Sequence, residues 1–410
     1  GIRDGEGGGR AFKVPAGPFI DGLMAEHGAA AIRNGDTERY SCVGRVFSTH
    51  AYDVRRGASG LYRVGALLRH RAPKQMFELE TRCGRKITLT GDHNLWVLRD
   101  GMPVLIRTEE ASASDFIPVP ETLGSTGDLR VLDVLPYLSD TKLSVFADEA
   151  VLEYVSTGGQ ADFVKVMRDS GINPYPKLFA MRRRIRGRGI KVHQFVRLGV
   201  YRTGSPEGWA VGGKLERCRI PAALPLSSEV LRLFGYYIAE GNSQQRYFVL
   251  ANRHPVLRQR IEGSLASLGV PFHVRPSSDY AIGSTALAQL LGRSCGATAF
   301  GKRLPDFWPQ LADASLATML RAYFDGDGTV GSNGEVIATT ASRGLASDLA
   351  YALKRFGIHA RLRTTRKRAT NSAHAGGVYF DVCVSGGDDL RRYAGSIGFD
   401  HPEKALRLRN

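Results

Sequence analysis

Strict alternation of apolar and polar positions marks the early part of the chain. The stretch MFELETRCGRKITLTGDHNLWVLRDGMPVLI, Met76 to Ile106, keeps period two and is interrupted at Cys83-Gly84 and Asp100-Gly101. Period two belongs to half-buried strands, and a glycine pair between two such runs signals a hairpin. DFIPVP, ending at Pro120, suits an edge or an exit because proline cannot donate to a ladder. Residues 1–122 are therefore expected to be all-β.

The pattern then changes. SVFADEAVLEYV and ADFVKVMRDSG space their apolar residues as helices do, whereas SPEGWAVGGKLE and IPAALPL read as loop and linker. Residues 123–225 are expected to be a helical region. From residue 226 the pattern occurs twice. LFGYYIAEGNS, from Leu233, and LRAYFDGDGTV, from Leu320, each run as an apolar helix into an acid and a glycine. Their acids, Glu240 and Asp327, stand 87 residues apart. A strand follows each (RYFVLAN; EVIATTA), then a helix stopped by glycine (IEGSLASLGV; LAYALKRFGI), then two strands and a last helix. Six residues beyond the closing glycines Gly296 and Gly398 stand Lys302 and Lys404. The halves 226–313 and 314–410 are each read as helix–strand–helix–strand–strand–helix, an α+β architecture, with Ser228 and Ser315 as helix N-caps.

Chemistry sharpens this picture. Gly235 and Ala322 stand five residues before their acids and are small enough to let two helices approach closely. Such a pair would bring Glu240 and Asp327 together. Two bare carboxylates repel, and a divalent cation with oxygen ligands relieves that repulsion. Metal-bound carboxylates flanked by basic residues fit phosphodiester hydrolysis. The net charge of +16 points to a polyanion as partner. Lysine is scarce, 12 of 56 basic residues, so its paired placement is informative. The run Lys177 to Arg202 holds nine Lys/Arg and no acid, with Arg182, Arg183, Arg184, Arg186, Arg188 and Lys191 placed to follow phosphates. An EF-hand is excluded at DGDGTV, because its sixth position is Val330 rather than glycine. Five scattered cysteines, with no CxxC pair, argue against a zinc site or a disulfide framework and for a reducing compartment, the cytoplasm. No apolar run is long enough to span a membrane.

Both acidic stretches resemble the LAGLIDADG, or dodecapeptide (DOD-type), motif of homing endonucleases. The resemblance implies two αββαββα halves in one monomer with internal pseudo-twofold symmetry. Their motif helices form the interface, and a saddle-shaped antiparallel sheet lies on double-stranded DNA. It implies that Glu240 and Asp327 hold Mg2+ or Mn2+, with carbonyls from Ala239 and Gly326, and that Lys302 and Lys404 support a staggered double-strand cut at a long specific site. Glutamate at 240 stands where aspartate is commoner, which lengthens one ligand by a methylene. The cluster Arg361, Arg363, Arg366, Lys367 and Arg368 falls on a strand–turn–strand that, in this family, reads bases in the major groove.

ITLTGDHNLWVL resembles a second family. Thr90-x-x-His93 is similar to the TxxH motif of Hint (intein) domains, in which the histidine assists the first acyl shift of protein splicing and the threonine orients the scissile bond. The chain begins at Gly1 where inteins have Cys or Ser, and Arg409 precedes Asn410 where they have His. Cys42 is internal. A partial Hint domain lacking both splice junctions is expected, and the chain as given is not expected to splice. Two alternatives stand beside this reading: a fragment of a splicing-competent intein, and a cleavage-dead DNA- or RNA-binding relative.

Overall fold

The computed structural model describes residues 2–4, 11–27, 31–42, 47–53, 55–124, 127–146, 165, 168, 189–193, 196, 208–213, 216, 218–277, 279–367 and 376–409. It forms two compact units. One comprises Gly1–Asp128, Asp306–Asp313 and Ala346–Tyr393; the other comprises Leu129–Pro305, Ala314–Leu345 and Ala394–Asn410.

The first unit carries the expected hairpins. Met76–Glu80 pairs antiparallel with Lys86–Thr90, and Asn94–Arg99 with Met102–Arg107. Asp100 and Gly101 both have positive φ, 49° and 76°, as the tight hairpin turn matching strand twist requires. The ladder pairs Val97 with Val104 on one face and Trp96 with Leu105 on the other. Both faces are thus apolar; Val97 is buried while Trp96 and Leu105 are exposed. This region is not all-β, however. Ala16–His27 forms helix α1 and buries Leu23 and Met24 in a cluster with Tyr40, Cys42, Phe47 and Leu67. Gly17, Pro18 and Gly22 hide this helix from a propensity reading; packing on the strands secures it.

Residues 123–225 also depart from expectation. Ser144–Phe146, the start of a segment read as helix, is a strand between Ile190–Lys191 and Ala210–Gly212, and Ile220–Pro221 completes that sheet. Val131–Asp133 pairs with Ala223–Pro225, within the segment read as linker. Burial explains the strand: Val145, Val211 and Ile220 are almost fully enclosed, which suits β-branched residues on a packed sheet. Of ADFVKVMRDSG, only Lys165 and Arg168 are described, and both are helical.

From residue 228 the order helix–strand–strand–helix–strand–strand–helix occurs twice. The first run holds α2 (Ser228–Glu240), α3 (Pro255–Ser267) and α4 (Thr285–Cys295). The second holds α5 (Asp313–Asp327), α6 (Arg343–Lys354) and α7 (Gly387–Ser396), with α8 (Pro402–Arg409) after it. Each run has one strand more than the pattern suggested, because three residues directly after each acid are extended. Gly241–Ser243 pairs with Phe248–Ala251, and Gly328–Val330 with Val336–Thr340. The glycine stops were read correctly: Gly269, Gly296, Gly357 and Gly398 all have positive φ. The caps were not. Ser227, one residue earlier than expected, accepts the Val230 N–H at the start of α2, and Ser315 lies inside α5.

Candidate active site

The two motif helices meet through their small residues. A Cβ built on Gly235 would lie 2.3 Å from the Met319 carbonyl oxygen and 2.7 Å from the Ala322 Cβ. One turn later, a Cβ on Gly326 would lie 2.6 Å from the Ala239 Cβ and 3.2 Å from the Glu240 Cγ. Four-residue spacing puts 235 with 239, and 322 with 326, on a single helix face. The helices therefore stay in contact as far as their C-terminal ends, where Glu240 and Asp327 stand.

The glycine after each acid is required by the chain's change of direction. At Gly241 the backbone becomes extended and its N–H returns to the Tyr237 carbonyl. A Cβ there would come within 2.5 Å of that carbonyl, and a Cβ on Gly328 within 2.5 Å of the Phe324 carbonyl. Tyr237 and Phe324 occupy matching places in the two motifs, and each of these carbonyls also receives a lysine. Lys302 Nζ donates to the Tyr237 carbonyl at 2.7 Å and lies 3.6 Å from that tyrosine's ring centroid. Lys404 Nζ donates to the carbonyls of Phe324, Asp325 and Gly326 at 3.3, 2.5 and 3.2 Å. Each predicted lysine thus sits on the C-terminus of its own motif helix, where the helix dipole favours a cation.

Electrostatics set these groups apart from ordinary surface charges. Burial, reinforced by the neighbouring Glu240, pushes the Asp327 carboxyl up to about 8. Burial also raises Glu240; Lys404 opposes that shift and Asp279 adds to it. Burial lowers the Lys302 amine to about 8 and lowers Lys404, which Asp325, Glu240 and Asp327 pull back upward. Two carboxylates that burial drives toward protonation are a poor arrangement for stability alone, and a cation between them removes the cost. Among the described residues no group of three or more His, Cys, Asp or Glu side chains could hold a metal ion, and this pair offers two carboxylates. With Ala239 and Gly326 carbonyls the donors are all oxygen, which suits Mg2+ or Mn2+. Gly326 is the weaker of the two carbonyls for this purpose, since it already accepts Lys404.

Asp325 escaped the sequence reading. It is buried, and one carboxylate oxygen accepts the Asp400 and His401 N–H groups at 2.9 and 3.0 Å, just before α8, which carries Lys404. The D-x-D spacing in FDGDG was its only signal.

The remaining predicted residues lie elsewhere. Thr90 closes a strand, and the exposed His93 follows in the turn, its N–H donating to the Thr90 carbonyl at 3.2 Å. Thr108 donates to the His93 carbonyl through both its N–H and its hydroxyl. Cys42 is buried, and burial pushes its thiol pKa up. Lys191 ends a short strand and donates to the Lys142 carbonyl. Arg182, Arg183, Arg184, Arg186, Arg188 and Arg368 lie outside the described residues. Arg361, Arg363, Arg366 and Lys367 share one strand, Arg361–Lys367, paired with Gly377–Val384. Alternation puts Arg361 and Arg363 on one face and Arg366 on the other, so they do not form a single patch.

Comparisons with known proteins place part of this chain. The LAGLIDADG-like domain family matches residues 314–398. The chain is 31% identical over 246 residues to the replication factor C small subunit of Thermococcus kodakarensis, covering 56% of this chain and 27% of that protein. It is 25% identical to the DNA polymerase of the same organism, covering 86% of this chain and 24% of the polymerase. It thus spans about a quarter of the length of these curated relatives. Solved structures similar to it include the PabCDC21-1 intein, at 20% identity and TM-score 0.23, covering 25% of this chain and 61% of that one. Mesophilic variants of the homing endonuclease I-DmoI match at 10% identity and TM-score 0.31, covering 42% and 96%. Residues 314–398 are a LAGLIDADG-like domain.

Proposed function

We propose that the chain is a site-specific DNA endonuclease of intein origin, cutting both strands of a long target by divalent-metal-dependent phosphodiester hydrolysis. The observation that carries this reading is the partly buried pair Glu240 and Asp327 at two abutting helix ends, each end capped by a lysine. Residues 226–313 and 314–410 are the two halves, related by a pseudo-twofold axis that suits the two strands of duplex DNA. Residues 123–225 supply basic contacts to the backbone. Residues 1–122 are a Hint-like region in which Thr90 and His93 keep the places of splicing residues. The monomer works in the cytoplasm. No helix among the described residues is long and apolar enough to cross a membrane.

Glu240 and Asp327, with the Ala239 and Gly326 carbonyls, would hold Mg2+ or Mn2+. The bound ion would lower the pKa of water and offset charge on the leaving oxygen. The chain's own residues do the rest. The two carboxylates fix where negative charge is tolerated between the helices. The amine of Lys302, brought near 8, takes up and returns a proton close to neutral pH, as a general acid–base group must. Lys404, held by three carbonyls, keeps its charge aimed at the helix ends, which favours a phosphate group there.

A binding and cutting comparison tests this reading. Glu240→Gln and Asp327→Asn should each retain salt-sensitive DNA binding and lose cutting by about 10²- to 10³-fold, the scale of removing a charge-stabilising group. Cutting that survives both substitutions would refute it.

A further inference from the structure

Each lysine rests on its own motif helix, and the main chain that carries it is fastened both within its own run, as by Asp325 at Asp400 and His401, and by the opposite run of elements. Ser342 follows the Val336–Thr340 strand and precedes α6 of the second run. Its hydroxyl oxygen accepts the Leu345 N–H at 3.2 Å, capping α6, and its proton goes to the Lys302 carbonyl at 2.6 Å. Ser342 is 4% exposed, so water does not compete for these bonds. The reciprocal place in the first run is His254, which precedes α3. Its ring stacks on His401 with centroids 3.9 Å apart, and Arg260 of α3 meets the Asp400 carboxylate at 3.2 Å. Asp400 and His401 lead directly into α8 and Lys404.

We propose that Ser342, and His254 with Arg260, are positioning residues, each setting the lysine of the opposite run. A lysine has four rotatable side-chain bonds, so where its amine can sit depends on where its Cα is anchored. Crossed anchoring adds to the bonds within each run, so each lysine's place is fully fixed only when the two runs are docked. Misplacement by an ångström is enough to cost a large factor in rate. The arrangement differs chemically on the two sides, a hydrogen bond for Lys302 and a ring stack with an ion pair for Lys404. The two can therefore be perturbed separately. The functional meaning rests on the lysine roles proposed above; the anchoring itself does not.

The test reads the amines directly. The full chain, free of DNA, is acylated with a small amine-reactive reagent, and each lysine is followed by peptide mass spectrometry. Ser342→Ala should speed modification of Lys302 about tenfold, the factor set by one lost buried hydrogen bond, and leave Lys404 unchanged. Ser342→Thr, which keeps the hydroxyl, should restore the parent rate. His254→Ala with Arg260→Ala should speed Lys404 and spare Lys302. A variant that loosens both lysines equally, or neither, overturns the proposal, because general loss of packing has no reason to choose between them. A parallel assay separates this from the nuclease reading. If the parent leaves all DNA uncut while the crossed labelling holds, the nuclease reading fails and the anchoring stands. If the parent cuts but labelling is not crossed, the reverse follows.

Discussion

Asp327 occupies a position where a carboxylate is costly without a cation. Its folded-state value near 8 lies above the ordinary range near 4, so the folded protein holds this proton more tightly than the unfolded chain does. Its cost is therefore absent below about pH 4, grows as pH rises, and levels off above about 8. Asp327→Asn, neutral at every pH, should match the parent near pH 4 and exceed it by on the order of 5 kcal/mol at pH 8 in metal-free urea unfolding. A gap that does not change with pH would contradict the assignment of burial as the cause. The same proton competes with the cation. Stabilisation by Mn2+ should be greater at pH 8 than at pH 5.5 in thermal melts and should vanish in Asp327→Asn. Equal stabilisation at both pH values would place the ion elsewhere.

At the scale of elements, the helix pair depends on the absence of side chains. Gly235→Ala puts a methyl 2.3 Å from a backbone oxygen that cannot swing away. The variant should lose roughly 2–3 kcal/mol in denaturant unfolding, the ordinary cost of overpacking. A neutral result would mean the helices do not meet there. This contact was legible in the sequence because Gly235 and Ala322 hold equal places before their acids, and Lys302 and Lys404 equal places after closing glycines. The repetition turned weak local signals into a pattern. Local signals without a copy were misread or missed. Ser227 and Ser228 are equally good caps in sequence, and only the turn geometry chooses. Three residues after each acid look like a turn until a later strand pairs with them. Val145 looks helical among its neighbours, yet Ile190 and Val211 make it a strand. Asp325 and Ser342 act on groups 75 and 40 residues away, a separation no periodicity reports.

At the scale of the whole molecule, the excess of 16 positive charges is the broadest signal of a polyanionic partner. Affinity for duplex DNA should fall linearly in log K against log salt, and Arg361→Ala with Arg363→Ala should make that slope shallower by about 2 in a binding titration. An unchanged slope would remove this strand from the interface. The carboxylate pair is the centre of the proposed nuclease site. It is tested most directly by incubating the chain with Mg2+ and a plasmid library of long randomised inserts, beside Asp327→Ala, and sequencing the ends released. Linear products with staggered ends at one long sequence are expected for the parent, and none for the variant. Equal cutting by both, or salt-sensitive binding with no cutting by either, would contradict that assignment and leave the two acids as parts of the helix junction.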